Sequence, residues 1–180
     1  MFRLGFLGVF ANQALFLAGL RRTSAINASV LIATIPLFTA VFAMATGREP
    51  FRRRFALGAL VAVAGLCLVV RPERMTLGLD HVLGDLLVVA NCASYGAYLA
   101  LARDAVVKHG GLSVVRWAFY AGLACALPLG LAPTLAAAPG WSSPVVAALA
   151  YILLVPTAFA YAANGLALGR VPASIVSVFV

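Results

Sequence analysis

The sequence predicts an all-α fold, a polytopic transmembrane helix bundle. Three observations lead there: an apolar composition, apolar runs of membrane-crossing length, and cations gathered on one side. Hydrophobic residues fill 64% of the 180 positions and charged ones only 10%, with a mean hydropathy of +1.06. Soluble domains carry roughly 45–50% apolar residues, and a water-soluble fold would need polar residues over its outside. Here the long segments are apolar all round, as suits lipid on one side and neighbouring helices on the other.

Read between charges and Gly/Pro punctuation, the runs are 4–20, 25–46, 55–70, 86–102, 114–131 and 144–168. Each is near the roughly 20 residues that a helix needs to cross the hydrocarbon. None alternates as a membrane strand would. Six full spans plus a partial seventh are expected, the seventh beginning in "VPASIVSVFV" (171–180) and reading as cut in mid-run. The first run does not read as a cleaved signal peptide, because Asn12 and Gln13 interrupt its middle and no small-residue cleavage site follows.

The stretch "GREPFRRRF" (47–55) carries five charges in nine residues. Alternate loops fall on opposite faces of the membrane. One face collects Arg3, Arg48, Arg52, Arg53, Arg54, Arg103, Lys108, Arg116 and Arg170, whereas the other holds Arg21, Arg22, Arg71 and Arg74. Nine against four follows the positive-inside rule, so "GREPFRRRF" is read as a cytoplasmic turn that fixes orientation. This asymmetry and the scarcity of acids account for the net charge of +8. Nucleic-acid binding is not needed to explain it, and attraction to anionic headgroups is expected in any case.

Small residues suggest where helices approach closely. Gly58, Ala62 and Gly65 fall on one face of the third run, and Gly122, Ala126 and Gly130 form a ladder on the fifth. Pro36, Pro128 and Pro156 lie within spans, where each frees a carbonyl and bends its helix. Polar residues within spans form stripes at helical spacing: Asn91, Ser94, Tyr95 and Tyr98 on the fourth run, Ser113, Arg116, Trp117 and Tyr120 on the fifth, and Thr157, Tyr161 and Asn164 on the sixth. Polar groups facing lipid are costly, so the stripes should look inward, bonding across helices or lining a wet cavity. Trp117 and Tyr120 also fit an interfacial aromatic belt, and Arg116 a side chain snorkelling to the membrane edge.

No cofactor, metal or enzymatic chemistry is expected. Glu49, Glu73, Asp80, Asp85 and Asp104 all fall in loops or at span ends, leaving no buried proton relay. His81 and His109 are isolated, and Cys67, Cys92 and Cys125 are scattered as small apolar residues. No glycine-rich phosphate loop is present.

The segment "TSAINASVLIATIPLFTAVFAMATGREPFRRRFALGALVAVAGLCLVV" (23–70) resembles the repeat of the drug/metabolite transporters of the EamA type, with Pro36, Glu49, Gly58 and Gly65 at the family's positions. "GDLLVVANCASYGAYLALARD" (84–104) resembles the opening helix of that family's second repeat, and "PTAFAYAANGLALGRVPASIVSVFV" (156–180) its third helix and the start of its fourth. The resemblance implies an inverted-repeat, ten-helix fold. Residues 1–70 would then be the last three helices of the first five-helix repeat, 71–84 an extracytoplasmic linker, and 85–180 the first part of the second repeat. An internal echo agrees: "LRRTSAINASVL" (20–31) and "LGRVPASIVSVF" (168–179) each place a basic turn before Ala25 or Ala173 and a serine at Ser29 or Ser177.

The resemblance further implies a secondary carrier, usually an exporter, of small metabolites or amphipathic compounds in a bacterial cytoplasmic (inner) membrane. Its cavity candidates are Asn12, Gln13, Asn27, Asn91, Tyr95, Tyr98, Tyr161 and Asn164. Glu49 is read as a structural partner of nearby arginines. The expected partners are the lipid bilayer and a small-molecule solute, with a helix partner or a homodimer as further candidates. The competing reading is a non-transporting fragment or accessory membrane subunit that needs a partner chain.

Overall fold

The computed structural model describes residues 1–50, 79–137 and 141–180, together with Arg53, Leu57, Gly58, Leu60, Val61, Ala64 and Gly65. Among the described residues all regular structure is helical, and five helices are long and apolar enough to cross a membrane. These are α1 (Phe2–Leu20), α2 (Ala25–Ala45), α3 (Leu79–His109), α4 (Gly111–Ala137) and α5 (Ser143–Leu168). A short α6 (Ala173–Val176), continued by a 3-10 turn, stands where the partial seventh span was expected. The run at 55–70 lies outside the described residues apart from the positions named, so five of the six expected full spans are seen.

Local chemistry sets the helix ends. The α1–α2 turn is closed by Ser24, whose hydroxyl accepts from the Asn27 backbone N–H at 3.0 Å as an N-cap. Within α2 the helix breaks at Ala33 and Thr34 and restarts at Ile35. Pro36 occupies the first turn of the restarted segment, where its missing N–H leaves no helical bond unmade. Gly47 ends α2 with φ +68°, the left-handed conformation that glycine adopts without a Cβ clash, and the N–H groups of Arg48 and Glu49 turn back onto the Ala43 carbonyl.

Helix α3 is the axis of the bundle. Its 31 residues extend about 46 Å at 1.5 Å per residue, longer than the roughly 30 Å hydrocarbon layer. It packs against every other helix, burying Val88, Cys92, Tyr95, Tyr98, Leu99, Ala102 and Val106. The α1–α2 turn sits at its start, with Gly84 against Arg22 and Thr23, and the α5–α6 turn near its end, with Gly169 beside Val106. From 84 to 106 the helix rises about 33 Å, so the two turns lie on opposite membrane faces. Arg21 and Arg22 are thereby separated from Arg48 and Arg170, as the sorting of cations requires. The Arg48 Nε donates to Asp104 Oδ2 at 2.8 Å near the far end of α3, an exposed pair that orients more than it stabilises.

The close approaches differ from the expected ladders. In the α4 ladder Gly122 meets Val9 of α1, while Ala126 is exposed and, among the described residues, nothing lies beside Gly130. Among the described residues nothing lies beside Gly58 or Gly65, and Ala62 lies outside them. The tightest backbone contact instead joins α4 to α5, Gly111 against Gly165, where an added methyl would overlap peptide atoms. Small residues alone do not make a seam; a second helix has to cross there.

Gly111→Ala should therefore lower the stability of the detergent-solubilised protein by about 1–3 kcal/mol, read as a fall in the thermal unfolding midpoint. Gly130→Ala, with nothing beside it among the described residues, should not lower it.

Candidate functional site: a tyrosine and amide cluster between four helices

The polar stripe on α3 faces the interior. Asn91, Ser94, Tyr95 and Tyr98 are all buried, Tyr98 with only 2% of its surface exposed. From α5 Tyr161 enters the same space, its ring centroid 6.0 Å from that of Tyr95 and 6.5 Å from that of Tyr98. From α4 comes Phe119, edge-on to Tyr161 at 5.0 Å. On the α1 side there is Gly8, and the Tyr98 ring occupies the volume that any Cβ at that position would need.

The polar atoms of these residues are joined by hydrogen bonds that converge on an irregular stretch of α1. Between Phe6 and Ala11 this helix has π geometry, the wider turn with bonds five residues apart. Carbonyls there accept from other helices as well: Ser94 Oγ donates to the Leu7 carbonyl at 2.8 Å, and Tyr161 Oη to the Gly8 carbonyl at 2.7 Å. Asn12 donates its amide to Tyr161 Oη at 3.1 Å and to the Gly8 carbonyl at 3.3 Å. In turn Asn91 donates to the Asn12 carbonyl at 2.7 Å and to the Asn12 side-chain oxygen. Asn164 completes the set by donating to Tyr95 Oη at 3.3 Å.

Six of the sequence candidates thus meet: Asn12, Asn91, Tyr95, Tyr98, Tyr161 and Asn164. Gln13 is exposed at the margin of the cluster. Asn27 lies elsewhere, fully buried under the α1–α2 turn. Its amide donates to both Asp85 oxygens, at 3.1 and 3.3 Å, and Thr23 donates its hydroxyl to the same carboxylate. That bonding docks the turn on α3.

The α4 stripe does not look inward. Arg116 is exposed, as are Trp117 at 51% and Tyr120 at 57%, the two rings edge to face at 5.8 Å. The buried face of α4 is Val114, Val115 and Ala118, because apolar and small side chains pack against α1 and α5 while the amphipathic ones seek the membrane edge. Phe119, which the sequence reading passed over, follows Ala118 on this packed side and carries only an ordinary apolar signal. Thr157 makes good the gap left by Pro156, donating to the Ile152 carbonyl at 2.8 Å.

Among the described residues Glu49 meets no arginine, and its neighbours Arg52 and Arg54 lie outside them. Glu49 accepts from the Ser174 backbone N–H at 3.3 Å and from its hydroxyl, capping the first turn of α6. Arg48 takes the acid partner Asp104. The left-handed turn at Gly47 sends the two side chains to different helices.

What the cluster can do chemically follows from its uncharged hydroxyls and amides and its ring faces. It can exchange hydrogen bonds and stack against apolar or cationic surface. Among the described residues no group of three His, Cys, Asp or Glu is placed to hold a metal ion. Because Gly8 and Tyr98 share one volume, Gly8→Ala and Tyr98→Ala should each destabilise the protein. Combined they should cost less than the two effects summed, by about 0.5–3 kcal/mol, measured by thermal unfolding of all four forms.

Residues 1–71 match the EamA-like transporter family. An uncharacterized transporter of Archaeoglobus fulgidus is 28% identical over 174 residues, covering 96% of this chain and 60% of its own length. The uncharacterized transporter YyaM of Bacillus subtilis is 28% identical over 123 residues, 66% of this chain and 40% of its own length. The chain therefore spans well under two thirds of each of these relatives. No solved structure matches. Residues 1–71 are thus similar to the EamA-like transporter family, and the chain as a whole is distantly similar to two uncharacterized transporters.

Proposed function

We propose that this chain forms most of the solute path of a secondary carrier that moves small, partly apolar metabolites by alternating access, in the direction of export from a bacterial cytoplasm. The observation that carries the reading is the cluster of Asn12, Asn91, Tyr95, Tyr98, Tyr161 and Asn164, uncharged polar groups gathered between α1, α3, α4 and α5. Nothing in the packing of an apolar bundle requires so many polar side chains at one place, since each needs a partner once buried. Their bonds are uncharged, and a solute bearing hydroxyl or amide groups can exchange with them.

Two further features support the reading. The α1–α2 and α5–α6 turns lie at opposite ends of α3, as two inverted halves would place them. Residues 1–70 and 85–180 are then the parts of those halves, and 71–84 the link between them. The boundary clasps, Asp85 on the first turn and Glu49 on α6, hold opposite ends of the bundle. Each is a place where one end can part while the other stays shut.

The test uses the full-length protein expressed in cells that lack their own copy, with untargeted mass spectrometry of medium and cytoplasm. Expression should deplete at least one small metabolite from the cells. Tyr98→Ala and Tyr161→Ala should each weaken that effect by about tenfold or more, the scale of a lost binding contact worth ~1.4 kcal/mol. Unchanged export by both variants would remove the cluster from the solute path.

A further inference from the structure

Three pairs of matching positions, Leu20 with Leu168, Ala25 with Ala173 and Ser29 with Ser177, are each separated by 148 residues (168 less 20, 173 less 25, 177 less 29). The backbone repeats at the same interval. In α1 the π stretch Phe6–Ala11 leads into nine regular residues, Asn12–Leu20; in α5 the π stretch Leu153–Phe159 leads into nine more, Ala160–Leu168. A tight turn follows each, and the residue before the next helix is extended in both, Ser24 with ψ 153° and Pro172 with ψ 149°. A proline explains the wide turn in α5, but α1 has none there. Its π stretch is instead held by side chains from α3 and α5.

The same interval pairs Gly8 with Pro156 and Gln13 with Tyr161. The two members of the second pair are in unlike states. Tyr161 is buried and donates to the Gly8 carbonyl; Gln13 is exposed at the edge of the cluster. Among the described residues no side chain of another helix donates to a carbonyl of Leu153–Phe159. Among the described residues the π stretch of α1 receives the Tyr161 hydroxyl, whereas Gln13 makes no bond to the π stretch of α5.

We infer that Tyr161 and Gln13 are alternate clasps. In the conformation described, the Tyr161 hydroxyl closes on the Gly8 carbonyl; in the conformation open to the opposite face, the Gln13 amide closes on the Pro156 carbonyl. The inference rests on the carrier reading above. Exchange conserves the number of clasping hydrogen bonds, so the two conformations can lie close in free energy. A wide helical turn suits the purpose, since it can shift register without unfolding its neighbours.

Hydrogen exchange of the full-length protein in lipid nanodiscs, followed by mass spectrometry, tests this through two variants. Tyr161→Phe keeps the ring and removes the present clasp. Exchange at residues 6–11 should rise about two- to tenfold, the range that one hydrogen bond commands, while exchange at 153–159 falls. Gln13→Leu, at an exposed position, should do the reverse at both segments. The core of α3 from Val88 to Ala102 serves as the folding control and should stay protected in both variants. A rise at both segments in Tyr161→Phe, no change at 153–159, or no effect of Gln13→Leu would overturn the alternate clasp. Reciprocal exchange without any solute flux would sink the carrier reading and leave the clasp standing; flux without reciprocity would do the opposite.

Discussion

The bond from the Tyr161 hydroxyl to the Gly8 carbonyl, 2.7 Å long, is the interaction on which the centre of this bundle depends. It joins α5 to α1 across a gap that these helices do not close by direct backbone packing. In hydrocarbon no water waits to satisfy either partner. Tyr161 must therefore reach α1, and by reaching it the residue sets where Tyr95, Tyr98 and Phe119 lie, since all three rings pack around its own. Asn12 bonds the same hydroxyl, and Asn91 fixes Asn12. Moving α5 away from α1 would disturb each of these contacts in turn.

That dependence explains why α1 is not a regular helix. A glycine at position 8 admits the Tyr98 ring, and the wide turn around it lets the Leu7 and Gly8 carbonyls serve other helices. The outer bonds work differently. Asp85 and Glu49 each hold the start of a helix that follows a tight turn, one at either end of α3: Asp85 accepts from the Thr23 hydroxyl and the Asn27 side-chain amide, Glu49 from the Ser174 N–H and hydroxyl. Uncharged bonds hold the middle and carboxylates the ends. That ordering is consistent with the proposed solute path, with groups that can be exchanged at the centre and stronger closures at the two ends.

The helical class and five of the six expected full spans could be read from the sequence because hydrocarbon leaves so few alternatives. The α3 stripe was legible for a related reason: polar residues at 91, 94, 95 and 98 keep a helical period in an apolar background, and lipid excludes the outward face. The similar stripe on α4 fitted both an inward face and a membrane-edge position, and Arg116, Trp117 and Tyr120 take the edge, where facing outward costs little. Other features had no local signal. The partners of Asn27 and Glu49 lie 58 and 125 residues away in the chain, and no pattern around either residue announces them. Pro156 marks the wide turn of α5, but nothing comparable marks that of α1, whose geometry is set by bonds from distant residues.

The central claim, that the cluster lies on a path opening to each face of the membrane, is tested most directly by labelling a single cysteine at Asn164. In the full-length protein with Cys67, Cys92 and Cys125 replaced by Ala, a membrane-impermeant thiol reagent would be applied to right-side-out and inside-out vesicles. Labelling of Asn164→Cys from both sides, with Leu99→Cys in the closed core of α3 unlabelled from either, is the result the account predicts. Failure to label Asn164→Cys from either side, in a protein that still folds, would mean that these residues only bind helices together.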